Sequence, residues 1–400
     1  MSQDNLIAEI ADDKIRYIIY KHNEKSNYEI LSKKILKNNG IKKGKILDFE
    51  YTSKKINEDI KGLEKDTDKI FKNISLVINE PEISCTNLSG YKKLNGSKVE
   101  KRDLEYILNE AQISISQNQE NNSILHIINS NFILDKIKKN KIPLDLYGDH
   151  LSLHMTFISL PKNNLKNIKA LFDSNDLKID RFISKPLACG TNILNQNKKN
   201  KNFFLINIDK ETSFISLFEE SSLVFTKIFP FGTNSIINDI SKLCSLNEND
   251  VRSIIKKIDF KNTTNNKNYI DQNLFKESKF KKLSIQHIKE IINARVVEIL
   301  DHLFNKNNNL KYANKKALRI DIFFEDKEIL DFLGSTFYEN LKVDNLETEI
   351  KLIHLDDFFA LSGAAELIYK GWDKEAIPLN VRKKSIISRF FERFFKSNFL

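Results

Sequence analysis

Two stretches of this chain carry one pattern, and that repeat narrows the possible folds more than any other feature. Residues 6–10 (LIAEI), 14–20 (KIRYIIY) and 28–32 (YEILS) read as three short strands separated by polar turns. The pattern returns as FFLINI (203–208), SFISLF (213–218) and LVFTKIF (223–229), with Asp209-Lys210-Glu211 in the place of Ala11-Asp12-Asp13. Alternation and β-branched content support strands in both places. A meander that occurs twice, with helical segments later in each half, predicts a duplicated, two-lobed α/β fold with a cleft between the halves. A chain of 400 residues has room for it: 40% apolar residues supply the cores, and 11 Gly and 6 Pro leave little for flexible linkers.

Between the halves, residues 73–161 read as a self-contained α+β insertion. It holds a strand (ISLVINEP), a helix from Lys101, and the strands SILHIINSNFILD and HLSLHMTFISL. A helix over 163–175 and a strand over 177–183 return to the first half. In the second half, the helical patterns NENDVRSIIKKI and SIQHIKEIINARVVEILDHLF are separated by the polar stretch 261–273. The strand RIDIFF (319–324), a helix over 327–341 and FALSGAAELIYKG (359–371) complete it.

The sequence closes on SIISRFFERFFKSNFL (385–400). At about 100° per residue, Ile386, Ile387, Phe390, Phe391, Phe394 and Phe395 fall on one half of a helical wheel. Arg389, Arg393 and Lys396 lie on the other half, and Arg382-Lys383-Lys384 adds a basic flank. A phenylalanine-rich face opposed by cations suits the interface of an anionic membrane better than a groove on its own domain. No apolar run approaches the ~20 residues of a spanning helix, and no N-terminal signal is visible. Three widely spaced cysteines (Cys85, Cys189, Cys244) fit a reducing compartment. The expectation is a cytoplasmic protein held at a membrane by one amphipathic foot. The net charge of +10 comes without zinc spacing, an arginine-rich arm or an aromatic RNA-binding run, so nucleic acid is not an expected partner.

Several segments, taken together and in order, resemble the bacterial cell-division protein family FtsA over nearly the whole chain. They are Gly40-x-x-x-Gly44-x-Ile46-x-Asp48; Ile127-Ile128 with Phe132-x-Leu134-Asp135 and Pro143-x-x-Leu146-x-Gly148; Leu177-Lys178-Ile179-Asp180 with Pro186-x-Ala188; Lys227-Ile228-x-Pro230-Phe231-Gly232 with Asp239-Ile240; Ile292-x-x-Arg295-x-x-Glu298-Ile299; and the terminal amphipathic helix. The resemblance implies an actin-like (ribonuclease H-like) fold. Subdomain 1A would take 1–72 and 162–198, the SHS2-like insertion 1C 73–161, 2A 199–245 and 303–371, and 2B 246–302. A linker over 372–384 would lead to a membrane-targeting helix at 385–400.

The function it implies is to tether filaments of FtsZ to the cytoplasmic face of the inner membrane at the division site. The chain would self-associate into filaments, bind anionic lipids and recruit later division proteins through 1C. The acidic FtsZ tail would meet 2B at Arg295, with Lys289, Arg252 and Lys256 beside it. The plainer reading of Arg295 is an ion pair with Glu298 or Glu290.

The family also implies ATP with Mg²⁺, and here the chain departs from it. Phosphate-binding turns need glycines whose N–H groups can approach an anion. Where the family pattern has an acidic residue followed by Ile-Gly-Thr, this chain has Glu9-Ile10-Ala11-Asp12. Where it has Asp-Ile-Gly-Gly-Gly-Thr-x-Asp, this chain has Asn207-Ile208-Asp209-Lys210-Glu211-Thr212-Ser213-Phe214, and Phe324-Glu325 replace the Gly-Gly of the adenosine loop. Lys14, Thr212 and Glu298 remain as vestiges of a nucleotide site. Asp12, Asp13, Asp209 and Glu211 would turn charge toward a triphosphate, and each close like-charge pair costs ~1 kcal/mol in water and ~4 at an effective dielectric near 20. The expectation is a scaffold with little or no ATP binding and no catalysis. The alternative is a nucleotide-driven actin-like ATPase of a pilus-assembly or cytoskeletal type. No Ser-His-Asp or paired-carboxylate constellation is recognisable. His150 and His154 read as strand residues rather than a metal pair, His126 as an ordinary strand histidine, and the cysteines as thiols without an acid–base partner.

Overall fold

The computed structural model describes residues 4–23, 27–139, 141–197, 201–257, 269–310, 319–342, 348–371 and 374–376. Contacts gather the chain into two compact units. One takes the chain up to Asn202, Ser216–Ile228 and the chain from Asp357; the other takes Phe203–Ile215 and Phe229–Asp356.

The chain opens with β1 (Asp4–Ile10), β2 (Lys14–Asn23) and β3 (Asn27–Lys37), an antiparallel meander in which Ile10 faces Ile15 and Lys14 faces Lys37. On β2, Ile15, Tyr17, Ile18, Ile19 and Tyr20 are all buried, the near-continuous apolar run of a strand covered on both faces. A short ribbon of β4 (Ile41–Lys42) and β5 (Lys45–Ile46) leads into α1 (Phe49–Thr67). The Gly40-to-Asp48 motif now has a reason at each position. A Cβ on Gly40 would lie 2.0 Å from Thr52 Oγ1, and Gly44 has a φ of +74°. Ile46 pairs with Ile41, and Asp48 caps α1 by accepting from the Tyr51 N–H at 2.9 Å. β6 (Asn73–Ile78) then lies parallel to β1.

The insertion comprises β7 (Ser84–Lys93), α2 (Lys101–Asn118), β8 (Asn122–Leu134), β9 (Ile137–Lys139) and β10 (His150–Pro161). Its sheet has the order β7-β10-β8-β9. α2 presents Leu104, Ile107, Leu108, Ala111 and Ile115 at helical spacing, and they share one core with Leu134, Leu151, Leu153, Met155 and Phe157. α3 (Lys162–Asp173) and β11 (Lys178–Ser184) return to the first sheet, where β11 pairs parallel with β6. α4 (Lys185–Gln196) follows, with Pro186 in its first turn.

The second half repeats the plan. β12 (Phe203–Ile208), β13 (Ser213–Glu219) and β14 (Ser222–Phe229) precede α5 (Thr233–Cys244), α6 (Glu248–Lys257) and α7 (Ile285–Leu300). Then come β15 (Arg319–Phe324), α8 (Lys327–Asn340), β16 (Glu349–His354) and α9 (Phe359–Lys370). The first sheet reads β3-β2-β1-β6-β11 and the second β14-β13-β12-β15-β16. In both, a meander is extended by two parallel strands that return through helical crossovers. The duplication expected from the repeated meander is present.

Two boundaries differ from the sequence reading. The insertion does not begin at residue 73, because Asn73–Ile78 pairs with β1 and β11; its buried apolar run suits a central parallel strand as well as an inserted one. The stretch 372–384 is not all linker, because Glu375 pairs with Ile128 of β8 and both Glu375 and Ala376 are fully buried. The amphipathic segment 385–400 lies outside the described residues. Among the described residues, no helix is long and apolar enough to cross a membrane.

Candidate functional site

The turn between β1 and β2, within the first unit, is closed by its own neighbours. The Ala11 N–H donates to the Lys14 carbonyl at 3.1 Å and the Asn38 N–H to the Asp13 carbonyl at 2.9 Å. Asp12 accepts from the Lys43 N–H. Expected as a charge aimed at a triphosphate, Asp12 instead fastens the β4–β5 ribbon. Glu9, 2% exposed, has Lys185 Nζ at 3.0 Å and Arg16 Nη1 at 3.4 Å, both on buried residues. Arg16 Nη2 also lies 3.2 Å from Asp357 Oδ1, and Lys14 Nζ stands 3.6 Å from the same oxygen. A carboxylate taken out of water needs a counter-charge, and here the chain supplies it.

The turn between β12 and β13, within the second unit, is closed differently. The Asp209 N–H donates to the Thr212 carbonyl at 2.9 Å, and Asp209 Oδ1 accepts from Asn207 Nδ2 at 2.7 Å. Glu211 Oε1 accepts from Asn234 Nδ2 at 2.9 Å. The start of α5 is pressed onto the turn: the N–H groups of Thr233 and Asn234 donate to the carbonyls of Asp209 and Lys210, each at 2.9 Å. That approach requires Gly232, since a Cβ there would lie 2.2 Å from the Asp209 carbonyl oxygen. N–H groups at a helix start can face an anion; these two face protein oxygens. At the end of β15, Phe324 is buried with its ring 5.1 Å from that of Phe337, edge to face. A phenyl ring thus fills space at the position where the family pattern has glycine.

Mg²⁺ and a triphosphate require open backbone N–H groups and a carboxylate available to the metal. In each turn, taken by itself, the N–H groups named above are engaged with protein oxygens, carbonyls except for the Asp12 carboxylate that takes the Lys43 N–H, and the Glu9 charge is balanced internally. The residues present do not fit the group. Among the described residues, no cluster of three or more His, Cys, Asp or Glu could hold a metal ion.

Of the basic residues expected on 2B, Arg295, Arg252 and Lys256 each have partners of their own. Arg295 Nε donates to Asp239 Oδ2 at 2.5 Å, and its Nη1 lies 2.8 Å from Glu298 Oε2. The Glu298 pairing expected from the sequence is present, whereas Glu290 accepts from Gln286 Nε2. Arg252 Nη2 donates to Asn234 Oδ1 at 2.7 Å, which draws it into the network of the second turn, and Lys256 pairs with Glu328 on α8 at 2.8 Å. Lys289 shares α7 with Arg295, yet at about 100° per residue the two point about 120° apart. Arg295 keeps 28% side-chain exposure, and ion pairs of this kind contribute little and exchange readily.

His126 is no ordinary strand histidine. It is fully buried, with Nδ1 2.7 Å from Glu375 Oε1 and Nε2 accepting from the Ser184 N–H at 3.1 Å. Burial outweighs the Glu375 carboxylate and holds the imidazole below its usual pKa, so it is neutral with its proton on Nδ1. Burial works against the charge of Glu375, but Arg181 and His126 outweigh it and hold that carboxyl below the usual range. His150 and His154 lie on β10 opposite Lys93 and Ser89, as strand residues. Burial pushes the thiols of Cys85, to about 12, and of Cys244 upward, away from thiolate reactivity.

Residues 81–159 match the family model described as the SHS2 domain inserted in FtsA. That match starts after β6, where the structure places the boundary. The chain is similar to the cell division protein FtsA of Buchnera aphidicola subsp. Schizaphis graminum, 25% identical over 315 residues that cover 78% of this chain and 74% of that protein. It is similar to the Escherichia coli K12 protein of the same name at 24% identity, over 54% of this chain and 51% of that one. Among solved structures it resembles the PilM–PilN type IV pilus biogenesis complex, with a TM-score of 0.59 at 9% identity and 89% of each chain covered. At that identity the likeness speaks for the fold alone, which is actin-like.

Proposed function

We propose that this chain, similar to the FtsA cell-division proteins, works in division as a scaffold that ties FtsZ filaments to the cytoplasmic face of the inner membrane, with little or no ATP binding. The observation that carries the ATP-independent part is the closure of both turns by the chain's own groups. With the Ala11 and Asp209 N–H groups held by carbonyls of their own turns, each turn offers fewer donors to a nucleotide, so assembly is set by concentration and by the membrane.

In this reading residues 385–400 form the foot. Each foot holds weakly, and self-association into filaments turns many weak feet into firm attachment. The FtsZ tail, acidic by family resemblance, meets Arg295, which exchanges Asp239 and Glu298 for tail carboxylates. Lys289, Arg252 and Lys256 contribute long-range attraction rather than contact. The insertion, taken from residue 81 rather than 73, offers the surface for later division proteins.

The test is recovery of FtsZ filaments with anionic liposomes, in the presence of the full chain and without ATP. The scaffold reading expects FtsZ in the vesicle fraction, lost when 385–400 is deleted. Recruitment that appears only on adding ATP would contradict it and favour a nucleotide-driven ATPase.

A further inference from the structure

Beyond α9 the chain returns to the inserted domain. Lys374–Ala376 runs antiparallel to β8: the Asn129 N–H donates to the Lys374 carbonyl and the Ala376 N–H to the Ile127 carbonyl, both at 2.6 Å, around the Ile128–Glu375 pair. β10 lines one edge of β8. On the other edge β9 pairs with Phe132–Leu134, and this strap covers Ile127–Asn129. An open strand edge is a template for strand addition, and here the chain occupies the edge itself.

Side chains make the contact specific. The Glu375 carboxylate, fully buried, takes the His126 Nδ1–H and Arg181 Nη2. The Ser184 N–H on His126 Nε2 fixes the imidazole so that its proton faces Glu375. Ala376 packs into the core shared by α2 and the inserted sheet. Ser222 Oγ donates to the Asn129 carbonyl at 3.0 Å and steadies the same stretch of β8.

We propose that Lys374–Ala376 is a latch: a strand-addition contact through which the chain closes the β8 edge of its own inserted domain with the segment leading into 377–400. Ala376, the last described residue, thus lies in the inserted domain and not on α9. This inference stands independently of the tethering reading. Residues 377–384 alone connect the latch to the amphipathic segment, at most about 30 Å when extended, so a pull on that segment is delivered to β8. The latch depends on one buried carboxylate and two backbone hydrogen bonds, and each can be removed separately.

Hydrogen exchange on the full chain tests it. Asn129 reports the latch, while Ile128, whose N–H faces β10 by the alternation of an antiparallel ladder, is the internal control. Glu375→Gln keeps the shape and removes the charge; Ala376→Pro keeps the carboxylate and removes the N–H. Both variants are expected to speed exchange at Asn129 by about tenfold or more, with Ile128 and the α2 amides unchanged. Continued protection of Asn129 in both variants would overturn the latch. So would loss of protection at Ile128 and α2 together with Asn129, since Lys374–Ala376 would then be an ordinary part of the domain core.

Discussion

The β1–β2 and β12–β13 turns sit at equivalent places in two sheets of the same strand order, yet different chemistry closes them. The first is held by charge: Glu9 between Lys185 and Arg16, with Asp357 beyond. The second is held by hydrogen bonds of Asn207, Asp209 and Asn234 and by a helix start that touches the turn through Gly232. Buried strands enforce the common order, because a strand with two apolar faces has nowhere else to go. A turn is determined only by what touches it, so each half arrived at its own closure.

If charge closes the first turn, removing one member of the cluster should have the largest effect in the molecule. Arg16→Met leaves Asp357 without its main partner and Glu9 with Lys185 alone, and breaking a buried pair costs ~3–5 kcal/mol. Urea denaturation should show that loss; a change under ~1 kcal/mol would mean the first turn is held as the second is. Gly232→Ala comes next, at about 1–3 kcal/mol, because its Cβ would collide with the Asp209 carbonyl and α5 would have to move. Asn207→Ala removes one donor to Asp209 and should cost ~1 kcal/mol.

The effects of pH should differ in sign between the units. Glu80, buried in the first unit, is pushed up to about 7 by burial against the Asn164 hydrogen bond. A folded pKa above the unfolded one gives a contribution that is full below the ordinary value of 4.5 and lost as pH rises through about 7. In the second unit, burial works against the Asp250 charge, but Ser278 and the N–H groups of Lys276, Glu277 and Ser278 outweigh it and hold its pKa below the ordinary 3.8. Its contribution is present at neutral pH and lost as pH falls through that lowered value. Urea midpoints measured between about pH 5 and 8 should show a declining component that Glu80→Gln removes. Asp250→Asn should lower the midpoint throughout that range without changing the slope.

Much of the frame was legible. The strand spans 203–208 and 319–324 and the helix from Lys101 coincide with the structure because long apolar runs carry a period. β7 was not legible: SCTNLSGYKK lies at a sheet edge with none of its residues fully buried, and its polar composition shows no alternation. The strap at Lys374–Ala376 is too short to carry any period. The missing glycines of the two turns could be read directly, but the direction of their carboxylates could not. Asp12, Asp209 and Glu211 look like repulsive charges in the sequence and prove to be acceptors for Lys43, Asn207 and Asn234.

The central proposal is that this chain keeps the actin-like frame while its two turns, closed by the chain's own groups, take no nucleotide. Calorimetric titration of the purified full chain with ATP and Mg²⁺, checked with a fluorescent ATP analogue, tests it most directly. The account predicts no binding heat and no change in analogue fluorescence at high-micromolar protein. Saturable binding in the micromolar range would contradict it and would mean that both turns open to admit a nucleotide.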